Sequence, residues 1–128
     1  MRNAPHDTCL RLFGGFEHLH SSITAGLQAQ GYAVLDRNWR TAAGELDIVA
    51  ARGPHLVVVE DKTRRTEWFG HPFDAVDKRK RDRLWRLACA WAVAHPEVAR
   101  RRTLRLDLIG ITGEDPATAV LEHLEDLR

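Results

Sequence analysis

The chain has 128 residues, 44% of them hydrophobic, enough for one core and hence one domain over residues 1–128. Its net charge of only +1 leaves total charge uninformative about an anionic partner, so the distribution of charge along the chain carries that question. The two cysteines, Cys9 and Cys89, have no CxxC or metal-ligand spacing, and no apolar run approaches the roughly 20 residues of a membrane-spanning helix; the expectation is a reduced, cytoplasmic protein with no membrane contact.

Met1 to about Leu12 shows no periodic pattern and reads as a mobile N-terminal tail. Phe16, Leu19, Ile23 and Leu27 then recur at helical spacing, and Gly31 follows as a stop, which predicts a helix over Phe16 to Gln30. Three strands are expected next: "YAVLDRNW" from Tyr32, "ELDIVAAR" from Glu45 and "HLVVVEDKT" from His55. Gly53 and Pro54 separate the last two and signal a hairpin.

A loop, "RRTEWFGHPF", leads to a second helix over Asp74 to His95. Val76, Leu84, Leu87, Ala88, Trp91 and Ala92 supply its apolar face. Pro96 stops it, "TLRLDLIGI" from Thr103 alternates as a strand, and Ala119 to Glu122 can form another. The order α, β, β, β, α, β predicts an α/β domain: a mixed sheet flanked by a helix on each face.

The third strand is apolar through Val59 and then presents Glu60, Asp61 and Lys62. Alternation turns Glu60 and Lys62 to one face and Asp61 to the other, and by the same rule Glu45 and Asp47 share a face on the neighbouring strand. Counting from the turn, Asp47 and Glu60 each lie six or seven residues away and come level near the open end of the hairpin. Two converging carboxylates repel each other and suit a divalent cation with a preference for oxygen, magnesium or manganese. A lysine beside such a cation can orient water or stabilise charge on a phosphate oxygen. The bland alternative for any Glu-x-Lys is a strand-end salt bridge of little energetic weight.

Taken together, "GYAVLDRNWR", "GELDIVA", "VVVEDKTRR", "FGHPFDAVDKRKRDRLWRLA" and "LRLDLIGI" resemble the YraN family of small bacterial proteins, within the PD-(D/E)XK restriction-endonuclease-like nucleases. The resemblance runs from roughly Gly31 to Ile111 and implies a restriction-endonuclease-like αβββαβ core. It also implies magnesium- or manganese-dependent hydrolysis of DNA, with Asp47 and Glu60 as metal ligands and Lys62 as the catalytic lysine. Lys80 matches a basic position on the second helix, and Arg64 and Arg65 continue the basic run that would meet nucleic acid. Similarity to Holliday junction resolvases suggests branched DNA, whose symmetric cutting would need a homodimer.

The pattern is broken at two positions. His20 stands where the family carries a first-helix glutamate; either Glu17, the nearest acid and one turn away, serves as a metal ligand in its place, or that accessory ligand is missing. Asp61 replaces an aliphatic residue and, pointing into apolar packing, needs an arginine or a helix terminus as partner. These departures motivate a second reading, a nucleic-acid-binding or partner-binding module that keeps the fold without cutting. A scaffold for a protein complex, its charged cluster vestigial, is a third.

Several other features have competing readings. Lys78 to Arg86 can track phosphates or form a solvated helix face. Trp68 and Phe69 can stack on an unpaired base or pack the loop against the helix. The histidines, His71 included, have no ligand spacing and receive no role.

Overall fold

The computed structural model describes residues 6–9, 16–64, 76–113, 115 and 118–127. The expected helix and strands appear in order: α1 (Phe16–Ala29), β2 (Ala33–Thr41), β3 (Gly44–Arg52), β4 (His55–Arg64), α2 (Lys78–Ala94) and β5 (Thr103–Thr112). This is the αβββαβ core of the restriction-endonuclease-like fold. Three shorter elements extend it: β1 (His6–Cys9), α3 (Pro96–Ala99) and β6 (Val120–Leu124). The strands make one six-stranded sheet in the order β1-β6-β5-β4-β3-β2. Among the described residues only β4 and β5 run parallel; the other neighbours are antiparallel.

The parallel pair lies at the centre of the sheet and is joined by α2, because a parallel neighbour requires a crossover long enough to hold a helix. Leu56 to Val59 are all buried, with Val57 and Val58 at 0% and 1% exposure. A strand covered on both faces has no reason to alternate polar with apolar residues. Ile23 and Leu27 of α1 cover one face, against Ile48, Val57, Val59 and Ile111. Leu84, Leu87, Ala88 and Trp91 of α2 cover the other, against Leu46, Val58, Leu106 and Leu108.

Several boundaries differ from the sequence reading. The second helix begins at Lys78, later than Asp74, because Asp77 adopts an extended backbone and its carboxylate accepts the Lys80 N–H at 2.9 Å as an N-cap. Pro96 ends that helix and opens the short α3 at its first position, where the missing N–H costs nothing. The patternless N-terminal stretch, read as a tail over about residues 1–12, contains the strand β1, paired with β6 from His6↔His123 to Cys9↔Val120. Four residues on a sheet edge are too few to show a period in sequence.

Among the described residues no helix is long and apolar enough to cross a membrane.

Candidate functional site

The β3–β4 hairpin turns at Gly53, whose φ of 56° lies in the left-handed region, and its ladder runs from Arg52↔His55 to Ile48↔Val59. Beyond Val59 the two strands separate, while β4 stays paired to β5 as far as Arg64↔Thr112. The opening falls where Asp47 and Glu60 face each other, and Asp47 Oδ2 accepts the backbone N–H of Asp61 at 2.9 Å across it. A side chain thus replaces the missing rung.

Regular alternation does not hold through β3. Leu46 packs with the α2 side whereas Ile48 packs with the α1 side, so the strand rolls at Asp47. On β2, the pairs Arg37↔Ile48 and Trp39↔Leu46 flank Asn38, which has a positive φ of 53°. Asparagine tolerates that conformation better than most residues. The expectation that Glu45 and Asp47 share a face is therefore corrected. Glu45 instead pairs with Arg40 of β2, Oε2 to Nε at 3.2 Å, and Asp47 reaches the open strand end.

On β4 the expected alternation is kept. Glu60 is 8% exposed and Lys62 Nζ stands 3.9 Å from its Oε1, too long for a hydrogen bond but close enough for charge to matter. Burial, followed by the hydrogen bond and the charge of Asp47, pushes the Glu60 carboxyl up to about 8, against the pull of Lys62 and Lys80. Lys80 reaches the same cluster from α2. Burial, then hydrogen bonding to and the charge of Lys62, holds its ammonium below the usual lysine range, with Glu60 opposing. The structure thus brings Asp47, Glu60, Lys62 and Lys80 together.

Asp61 points to the opposite face and is 9% exposed, and Thr63 Oγ1 donates to its Oδ1 at 3.5 Å. Glu17 lies in the first turn of α1 and Arg64 ends β4, but their side chains fall outside the described residues, as do Arg65, Trp68, Phe69 and His71 altogether.

The basic run on α2 divides by face. Lys78 is spent on an exposed ion pair with Asp82, Nζ to Oδ2 at 2.8 Å, and Arg81 Nη1 donates to the Leu127 carbonyl at 3.3 Å. Arg79, Lys80, Arg83 and Arg86, with Asp77, instead line an open cleft of about 530 Å³. Its basic character matches phosphate chemistry, and it adjoins the strand-end cluster through Lys80.

A second charged group was not read from the sequence. Asp107 of β5 is fully buried and receives Arg105 Nε and Nη2, each at 2.9 Å, His123 Nε2 at 2.8 Å and the Asp126 N–H at 3.0 Å. Arg105 Nη2 also donates to Tyr32 Oη at 2.7 Å. Burial works to raise the Asp107 carboxyl, yet the hydrogen bonds from His123, Arg105 and Asp126, together with the Arg105 charge, bring it below the usual range. Asp107, His123 and Glu125 offer ligand atoms within 4.8 Å of one another, an acid-histidine grouping that could hold a metal ion. The carboxylate of Asp107 already accepts four hydrogen bonds, two of them from the Arg105 guanidinium, which argues for a structural network there. At Asp47 and Glu60, by contrast, two carboxyls meet at the open end of the hairpin and press one pKa upward, the electrostatic situation that a divalent cation relieves. The signal missed in sequence was a charged pair, Arg105 and Asp107, on one face of an otherwise apolar strand. Its partners come from β6 and from the segment beyond it.

Residues 21–111 match the model of the uncharacterised protein family UPF0102. The chain belongs to this family, the YraN family. UPF0102 proteins from Paenarthrobacter aurescens and Beutenbergia cavernae are 46% and 45% identical to it, each over 98 residues covering 77% of this chain and 79% and 81% of the relative. A UPF0102 protein from an Arthrobacter species is 43% identical over 103 residues, 80% of this chain and 86% of its own. The stretch shared by the UPF0102 family contains Asp47, Glu60, Lys62, Lys80 and Asp107.

Proposed function

We propose that this UPF0102 protein is a divalent-metal-dependent DNA endonuclease that hydrolyses phosphodiester bonds at the strand end of β3 and β4. The observation that carries the reading is the convergence of Asp47, Glu60, Lys62 and Lys80 beside a basic cleft. Asp47 and Glu60 would hold a magnesium or manganese ion, since oxygen donors and a repelling carboxyl pair suit such an ion. When bound, it supplies Lewis-acid neutralisation of phosphate charge.

The chain's own residues supply the rest. Asp61, through its N–H, fixes the Asp47 carboxylate, and the rigid β4–β5 pair fixes Glu60. Lys62 orients the attacking water for in-line approach and donates to a phosphate oxygen. As the water oxygen bonds to phosphorus and its proton passes to solvent, the bond to the leaving sugar oxygen breaks. Lys80, whose ammonium is held below the usual range, is placed to protonate that oxygen. Arg79, Arg83 and Arg86 neutralise neighbouring phosphates.

A second reading, binding without cutting, is favoured by one feature: the basic cleft would attract DNA whether or not the carboxylates work. Cleavage of labelled duplex, flap and four-way-junction DNA in magnesium or manganese, beside Lys62→Ala and Asp47→Ala, separates the two. Metal-dependent cutting lost in both variants supports the nuclease. Salt-sensitive binding with no cutting in either metal supports the module.

A further inference from the structure

The basic cleft does not end at Arg86. Arg83 and Arg86 also line a second recess of about 380 Å³ whose remaining walls are Thr41, Ala43, Leu87 and Ala90. Positions 80, 83, 87 and 90 follow one another at three and four residues, so they form a single stripe along α2. That stripe runs about 15 Å from Lys80 to Ala90 at the usual helical rise.

The opposite wall is the β2–β3 turn. Gly44 has a φ of +145°, and a Cβ on it would stand 3.1 Å from Leu87 Cδ1, so the turn approaches α2 closely enough to make a slot. Thr41 Oγ1 accepts the Ala43 N–H at 3.1 Å and fixes the turn. Leu87 is buried and forms the floor; Thr41, Ala43 and Ala90 are exposed rims.

The slot is therefore apolar within and flanked by guanidiniums, and it continues a track that is basic beside the candidate metal site. Phosphates followed by a base present that same order of charge and apolar surface. In a paired duplex the base faces are stacked away and none can enter a recess. An unpaired base can, and an arginine plane can stack on it.

We propose that this slot receives the base of an unpaired nucleotide on a DNA strand whose phosphates lie along Arg79, Arg83 and Arg86. This rests on the nuclease reading and sharpens it: the substrate carries an unpaired nucleotide within about four nucleotides of the phosphate at Asp47 and Glu60, given the length of the stripe.

Fluorescence anisotropy with the full chain in EDTA tests it on three labelled DNAs: a perfect duplex, the same duplex with one bulged nucleotide, and one with an abasic bulge. The bulged duplex should bind about tenfold tighter than the perfect one, and the abasic bulge should lose that gain. Ala90→Gln fills the slot at an exposed helix position without changing charge and should abolish the preference. Arg79→Ala, which lies in the cleft but outside the slot, should weaken all three DNAs alike. Equal binding of the bulged and perfect duplexes, or of the bulged and abasic ones, or a preference that survives Ala90→Gln, overturns the proposal. Cleavage of the same DNAs in magnesium reads the other claim. Cutting without base preference removes the slot and leaves the nuclease, whereas base preference without cutting leaves the slot and removes the nuclease.

Discussion

Asp47 and Asp61 are joined across the frayed end of the β3–β4 ladder by a 2.9 Å hydrogen bond from the Asp61 N–H to Asp47 Oδ2. One carboxylate thereby closes the backbone and faces Glu60. The two roles separate by substitution. Asp47→Ala leaves a part-buried N–H without its acceptor and should cost about 1–3 kcal/mol in chemical denaturation. Asp47→Asn keeps an acceptor oxygen and should stay within about 1 kcal/mol of the parent, yet both should lose metal-dependent cutting. Equal destabilisation by the two variants would show that the hydrogen bond carries no stability.

Glu60 makes stability depend on pH in the direction opposite to an ordinary paired carboxylate. Its carboxyl is pushed from 4.5 to about 8 by burial and by Asp47, so the folded state holds the proton more tightly than the unfolded chain does. That contribution is fully present below about pH 4.5 and is lost as pH rises to about 8. Melting temperature without divalent metal should fall over this window. In Glu60→Gln, which stays neutral, the fall should shrink, and the variant should be the more stable of the two above pH 8 by at least 1 kcal/mol. A parent and variant with parallel profiles would show that Glu60 is not held protonated.

Much of this arrangement could be read from residue order alone, because the features responsible are local. Gly53 and Pro54 set the hairpin, and counting outward from them brings Asp47 and Glu60 level. Leu56 to Val59, apolar without alternation, marked a strand buried on both faces, and the three- and four-residue spacing from Leu84 to Trp91 marked the helix that covers one of them. The roll of β3 at Asp47 was not legible, since it shows only in which side of the sheet Leu46 and Ile48 pack against, opposite an Asn38 of positive φ on the adjacent strand. Nor was the Asp107 network, whose histidine comes from a strand that registers Ile109↔His123 only after folding. The groove beside Arg83 and Arg86 was half legible: the charges were visible as a run, but the apolar slot needs the β2–β3 turn to arrive at Leu87.

Magnesium should stabilise the protein through the same two carboxyls. A ligand that binds only the folded state raises stability with its concentration, about 2.7 kcal/mol at a hundredfold excess over Kd. A thermal shift in magnesium or manganese should appear in the parent and disappear in both Asp47→Asn and Glu60→Gln. It should also grow from pH 6 to pH 9, because binding must displace the Glu60 proton. A shift retained in both variants but lost in Asp107→Asn would relocate the ion to the Asp107, His123 and Glu125 group.

Asp107 provides a test of structure that is independent of chemistry. Its carboxylate is fully buried and accepts from Arg105, His123 and the Asp126 backbone, while Arg105 in turn holds Tyr32. Replacing one member of a buried charged network leaves the other unpaired, so Asp107→Asn should cost about 3–5 kcal/mol, far more than Tyr32→Phe at about 1 kcal/mol. Because its folded pKa lies below the ordinary 3.8, the stability Asp107 contributes is present above that value and lost as pH falls beneath it. The acid limb of the parent's stability profile should therefore flatten in Asp107→Asn. Both substitutions sit on the α1 side of the sheet, away from Glu60 and Lys62. At a temperature where the folded fraction is restored, DNA binding by Asp107→Asn should match the parent's; a loss that persists there would tie this network to the site across the sheet.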